Sequence, residues 1–410
     1  MRDEKYFKLC SAFVKEFYNS DALSEMYSAA GTDFRFFVFE IEKEVEKLDS
    51  YKKLKKYMND EPTISKHVVN MIGLWSYRIN LNEWSYIKYI IERQRKYNAG
   101  KFVLDYDKFI ADYSKLEDFF YNEKYLMKQV IRLINFTSDL DEIILKDNLK
   151  IRKLKEDDYE AILYGNLSQS NTSEYVVELI FEEEKRLGDD LKQKTTQDGF
   201  KRQQERSMVL NQVINVLRLY KSGNIKTGDT FTRLAEPVIV LGIGLSHMST
   251  MGFYFNTYQL KNDEVPDFIE FWEKIESIDI SKFKEFSLAL RRLGFAMDRM
   301  RYDDKLVDMV ISYESLFFKK GESGELQYRI SLRLSKLLEN DYGKRVDIKK
   351  AFKEIYKKRS RIVHGSEYKI DVEIINKCED YLRKALRKYL IYREKMSHNR
   401  IIDSLDLSEL

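Results

Sequence analysis

The residues of this chain best suited to chemistry stand together in Ile355-Tyr-Lys-Lys-Arg-Ser-Arg-Ile-Val-His-Gly365. Arg359 and His364 are separated by four residues near the end of a predicted helix, and Gly365 supplies its stop. Of the four histidines (His67, His247, His364, His398), only His364 lies in a dense basic cluster, formed by Lys353, Lys357, Lys358, Arg359 and Arg361. Arginine clamps a phosphate and imidazole moves a proton near neutral pH. The pair suffices for metal-free cleavage of RNA, whose 2′-hydroxyl is a built-in nucleophile. Spacing alone also fits a plain basic helix end, whose cations favour the helix dipole. Ser360, Arg361 and Lys358 are secondary candidates for contact with phosphate, Arg361 being equally readable as a solvated cation.

The elements that must position this pair are helices. In the last third, Phe283, Phe286, Leu290, Leu293 and Met297 define one amphipathic helix opening at Ser281. Asp303-Asp304 caps a second with Leu306, Val307, Val310, Ile311 and Phe317. A third carries Leu326, Ile330, Leu334, Leu337 and Leu338; a fourth, starting near Val346, leads to the Arg/His pair; a fifth runs from about Ile370 to Glu394. Short loops between such helices make a bundle. Glu314, Arg329 and Arg333 fall on helices that should pack beside Arg359, as a Glu–Arg network that orients it. His398 is expected to be exposed and idle, and the acidic tail beyond Asp403 to fray.

The whole chain reads as mainly α. Residues 1–137 are expected to form a helical N-terminal region, 138–275 a small α+β region and 276–410 the helical bundle. The helical pattern is read continuously to about Phe136, with Gly31-Thr-Asp33 as a break and N-cap. Leu149 to Leu154, Tyr175 to Phe181 and the stretch from Phe231 to Leu260 read as strands, and Phe200 to Lys221 as an amphipathic helix. The N-terminal aromatics, among them Trp75, Tyr77, Trp84 and Tyr86, are read as packing anchors rather than base-stacking platforms.

Bulk composition narrows the classes. Three prolines in 410 residues argue for long helices over linkers. Two cysteines, Cys10 and Cys378, exclude a disulfide framework or a cysteine zinc site. His247 has no second ligand at metal spacing, and Gly242-Ile-Gly244 lacks the remainder of a phosphate-loop fingerprint, which leaves a strand bend. No metal and no cofactor is expected. A net charge of +3 excludes a global polycation, so any nucleic-acid site must come from local clustering. No apolar stretch has membrane-spanning length, and the N-terminus lacks a signal-peptide pattern, so no membrane and a cytoplasmic location are expected.

Three blocks carry a resemblance. Asp303 to Phe317, Glu325 to Ser335 and Ile355 to Gly365 resemble, in order, the second helix, the next helix and the motif segment of the Apea-like HEPN domains. The resemblance covers roughly residues 281–392, and is weaker over 200–230. Many HEPN nucleases carry Asn, Asp or His directly after the motif arginine; here Ser360 stands there, with a hydroxyl that can donate or accept one hydrogen bond. The resemblance implies a HEPN-type helical bundle that forms a homodimer with two Arg/His motifs facing across a two-fold axis. It also implies a metal-independent endoribonuclease with Arg359 and His364 as catalytic residues. Such proteins are common in bacterial antiphage and toxin systems, where a phage-derived or small-molecule trigger releases the nuclease. The rival expectation is a catalytically silent HEPN bundle serving as a dimerisation or RNA-binding scaffold. A third makes the mixed middle region a nucleotide-sensing domain.

Overall fold

The computed structural model describes residues 2–30, 41–65, 68–72, 76–80, 86, 89–91, 93–95, 98, 101–155, 158, 174–184, 195–235, 243–245, 257–365 and 370–407. The expectations for Gly31-Thr-Asp33, His67, Trp75, Trp84, Gly242 and His247 fall outside these residues. The protein is mainly helical, with a small antiparallel sheet in its middle.

The N-terminal helices are α1 (Glu4–Tyr18), α2 (Asp21–Ala30), α3 (Glu42–Val45), α4 (Asp49–Asp60), α5 (Pro62–Ser65) and α6 (Tyr106–Tyr121). Asp3 caps α1 by accepting from the Tyr6 amide, and it also accepts from the hydroxyls of Tyr57 (2.8 Å) and Tyr121 (2.9 Å). Tyr6, Phe13, Phe17, Phe109, Tyr113 and Phe120 fill the shared core. Tyr113 donates its hydroxyl to the Asp3 carbonyl at 3.1 Å, and Tyr86 packs its ring on Phe120 with its buried hydroxyl left unbonded, so packing is what these aromatics supply.

Strands interrupt the region expected to be helical. β1 (Val68–Ile72) and β2 (Ser76–Asn80) form an antiparallel hairpin, and β3 (Lys124–Ile134) is a long strand. β3 pairs on both edges, with the strands Tyr175–Glu184 and Lys226–Leu234, and buries every residue from Gln129 to Ile134. A central strand covered on both faces loses its polar alternation, so its apolar run also fits a helical repeat. The expected boundary at residue 137 therefore follows the first strand of the sheet instead of preceding it.

The remaining strands are β4 (Phe136–Ser138), β5 (Glu142–Lys146), β6 (Leu149–Lys153), β7 (Tyr175–Glu184), β8 (Lys226–Leu234), β9 (Ile243–Leu245) and β10 (Tyr258–Leu260). The six-stranded order is β5-β6-β7-β3-β8-β9, antiparallel throughout, and β4 pairs with β10 in parallel. One face, carrying Ile131, Leu133, Val177, Leu179 and Ile151, joins a core built with α7 (Thr195–Tyr220) and α8 (Val265–Glu276). That apolar cluster continues without a break into the C-terminal helices, ending at Leu405. Residues on either side of position 276 thus share one core.

The opposite sheet face is charged yet buried. Arg152 hydrogen-bonds Glu178 (2.9 and 2.5 Å) and Asp158 (2.5 and 3.2 Å), and Arg233 reaches Asp158 at 2.8 Å. Arg132 lies 3.5 Å from Asp229 and Lys128 lies 3.6 Å from Glu178. Burial pushes the Asp158 carboxyl up, but the Arg152 hydrogen bonds and the charges of Arg152 and Arg233 outweigh it, holding the group down at about 2.

The C-terminal helices are α9 (Lys284–Asp298), α10 (Tyr302–Phe317), α11 (Leu326–Leu338), α12 (Tyr342–Val363), α13 (Val372–Arg393) and α14 (His398–Leu407). Asp303 and Asp304 lie in the first turn of α10, where carboxylates favour the dipole, and Arg301 occupies the cap position. The tail does not fray: Ile401, Ile402 and Leu405 of α14 are buried, and Asp406 pairs with Arg333 at 2.8 Å. An apolar stripe of helical spacing overrides the acidic composition there. Among the described residues, no helix is long and apolar enough to cross a membrane.

Candidate functional site

α12 places the Arg/His pair. Asp341 caps it by accepting from the Lys344 amide at 2.9 Å. Ile348, Phe352 and Ile355 form its buried face, and Phe352 meets the Tyr313 ring of α10 edge-on at 4.8 Å. That anchoring turns Arg359, one turn beyond Ile355, toward α10 as well.

His364 is the C-cap, exposed, with its amide donating to the Ser360 carbonyl at 3.1 Å. Gly365 follows in the left-handed region (φ 73°), its amide donating to the Ile362 carbonyl at 3.0 Å. This is a helix stop that glycine makes without strain. Five residues correspond to about 140° of helix rotation, so Arg359 and His364 leave α12 in different directions. Among the described residues no hydrogen bond or ion pair joins them.

Arg359 is 22% exposed. Its Nη2 lies 3.7 Å from Glu314 Oε1, a Coulomb contact too long for a hydrogen bond. Tyr356 completes the group: its hydroxyl donates to the same Glu314 oxygen at 3.3 Å, and its ring lies 5.7 Å from the Arg359 guanidinium. Burial raises the Tyr356 phenol, Glu314 raises it further and Arg359 opposes them, so the hydroxyl keeps its proton for Glu314. Arg359 Nε is buried and makes no hydrogen bond. The guanidinium is therefore held in place with donors left over.

Of the three residues expected to orient Arg359, only Glu314 does so. Arg333, 2% exposed, bonds Glu322 and Asp406 and also donates to the Phe317 carbonyl. Arg329 pairs with Glu322. Both face the turn after α10 and α14, because i and i+4 positions share one helix face and α11 presents a different face to α12. The Arg333 hydrogen bonds outweigh burial to hold the Glu322 carboxyl at about 2. Two residues of this arrangement were missed in the sequence: Tyr356, readable from its i−3 spacing to Arg359, and Glu322, whose setting between Gly321 and Gly324 reads as an ordinary loop.

His398 is not idle. It is half-buried, with Nδ1 2.7 Å from the Tyr389 hydroxyl and Nε2 2.7 Å from the Phe318 carbonyl. It ties the start of α14 to the ends of α10 and α13.

Ser360 is half-buried and Arg361 exposed, both on the last turn of α12, with half-buried Lys358 just before them. Among the described residues no group of three or more His, Cys, Asp or Glu is arranged to hold a metal ion. No family model, curated protein or solved structure matches this chain.

Proposed function

We propose that the C-terminal bundle is a HEPN-type endoribonuclease that cleaves RNA without a metal. The supporting observation is the state of Arg359: oriented by Glu314 and Tyr356, yet with a buried Nε that bonds nothing. Most buried donors in folded proteins are paired, so an unbonded one calls for a reason, and a bound phosphate supplies one here; Arg202, Arg206 and Arg292 share the feature at Nε but lie away from His364 in the chain. Arg333 shows the contrast, since its guanidinium is saturated by two carboxylates and a carbonyl.

In this reading Arg359 holds the scissile phosphate and offsets the charge that grows on its oxygens. His364 takes the proton from the 2′-hydroxyl as the O2′–P bond forms. The P–O5′ bond breaks, and O5′ takes a proton from His364 of a second copy. The products are a 2′,3′-cyclic phosphate and a 5′-hydroxyl. Such a site is complete only in a two-fold dimer, which accords with the different directions in which Arg359 and His364 leave α12. The sheet and N-terminal helices would restrain the nuclease in the cytoplasm until a phage-derived or small-molecule trigger acts, as in antiphage or toxin systems.

The test is cleavage of mixed cellular RNA in EDTA by the wild type, His364→Ala and Arg359→Ala, with product ends mapped. Cyclic-phosphate ends and a loss of 10²- to 10⁴-fold in His364→Ala are expected. Cleavage that survives in both variants, or that EDTA abolishes, would sink the reading. One observation favours a second reading, a silent dimerisation or RNA-binding module: the Glu314 contact is also what a structural arginine makes. In that case all three proteins bind RNA alike and none cleaves it.

A further inference from the structure

α12 carries nine lysines and arginines against two carboxylates, a net +7. The whole chain carries +3, so everything outside this helix sums to −4. The excess is also arranged. Lys350, Lys353, Lys357, Arg361 and the capping His364 are all exposed, at spacings of three or four residues. On a helix they fall within roughly 80° of arc and extend over about 21 Å. They occupy the face opposite Phe352 and Ile355, so packing does not explain them.

Ion pairing does not explain the three lysines either. Exposed lysines on other helices pair with carboxylates three or four residues away, as Lys8 does with Glu4, Lys52 with Asp49 and Lys384 with Asp380. Asp347 and Glu354 lie on the flank of the α12 stripe, yet among the described residues no ion pair engages Lys350, Lys353 or Lys357. Beside the stripe stands Tyr328 of α11, 48% exposed, with Lys349 Nζ 4.6 Å from its ring centre. The Gln327 side chain, one residue earlier, donates to the Lys353 carbonyl at 2.8 Å and fixes that neighbourhood.

We infer that the outer face of α12 is a backbone track for single-stranded RNA, with Tyr328 as a stacking platform at its flank, leading the strand to His364. Lysines at one-turn spacing with no carboxylate partner suit a repeating anion, and an exposed aromatic beside them suits an unpaired base. The choice of RNA rests on the reading of the Arg359/His364 site; the track itself needs only a polyanionic strand with bases.

The experiment measures binding of a fluorescein-labelled, mixed-sequence single-stranded RNA to the full chain across a KCl series, in a His364→Ala background. The triple variant Lys350→Gln/Lys353→Gln/Lys357→Gln is compared with Lys8→Gln/Lys52→Gln/Lys384→Gln, which removes the same charge from paired positions. The track variant should lower the slope of log affinity against log salt by about 2, since each single-strand phosphate contact contributes about 0.7. The control should leave slope and affinity within twofold. Tyr328→Ala should weaken binding about tenfold with the slope unchanged. Equal losses in both triples, or an unchanged slope in the track variant, overturns the track. So does a track variant that loses binding to anionic phospholipid vesicles while keeping RNA. Failure of the two readings is separable. RNA binding that falls with the lysines in a protein that never cleaves keeps the track and removes the nuclease. Cleavage dependent on His364 with an unchanged salt slope in the track variant does the reverse.

Discussion

The charged face of the central sheet and the charged face of α12 use the same residue types in opposite ways. On the sheet, Arg152 and Arg233 are 1% and 3% exposed and share Asp158, which has no exposure at all. On α12, Lys350, Lys353 and Lys357 lie in solvent, and among the described residues no carboxylate engages them. Burial makes pairing compulsory, because an uncompensated charge inside a protein costs several kcal/mol. Exposure removes that compulsion, so a cation left unpaired there is free to meet a ligand. Arg359 stands between the two: a carboxylate and a phenol orient it, yet it is only partly buried.

The sharpest way to break this contrast is to remove a buried partner. Asp158→Ala strands Arg152 and Arg233 and should cost about 3–5 kcal/mol in urea unfolding. A loss below about 1 kcal/mol would mean that the sheet face tolerates unpaired charge, and the contrast would fall. Acid makes the same attack by titration. Asp158, held at about 2 in the fold against 3.8 normally, contributes stability that is complete above pH 4. That contribution, about 2–3 kcal/mol, disappears as the pH falls through 2. Asp158→Asn should flatten the part of the stability profile between pH 4 and 2, leaving the share owed to Glu322, which is also held at about 2.

Smaller effects are expected at the end of α12. Gly365→Ala puts a side chain where φ is 73°, with no atom within 4 Å to clash, so only backbone strain opposes it. The expected cost is about 1–2 kcal/mol, with RNA cleavage falling by more than that stability change explains because His364 is re-aimed. Equal effects on both would reduce Gly365 to a plain helix stop. Smallest of all, Lys353→Gln should leave unfolding within about 0.5 kcal/mol of wild type, as surface changes do. A larger loss would show that the α12 lysines support the fold.

Much of the helical architecture was legible in the sequence. The periodicity of Phe286, Leu290 and Leu293 in α9, and of Ile330, Leu334 and Leu337 in α11, leaves one orientation for each helix, and Gly365 marks the stop of α12. β6, β7 and most of α7 were readable from β-branched content and amphipathic spacing. β3 was not, because a strand buried on both faces carries no alternation to separate it from a helix. The cluster around Arg152 was invisible for a related reason: Arg152, Glu178 and Arg233 come from separate strands brought together by the antiparallel register, and Asp158 joins them from the segment after β6.

Sequence by itself thus determined which residues cluster as candidates for chemistry and which helix carries them, since local spacing and charge density are properties of the chain. Tertiary structure alone decided which partners those residues keep. It gave Arg359 to Glu314 and Tyr356, sent Arg329 and Arg333 to Glu322, and engaged His398 between Tyr389 and Phe318. The physical reason is that long side chains can reach several neighbours, and only packing sets the helix rotations that bring one of them within hydrogen-bonding distance.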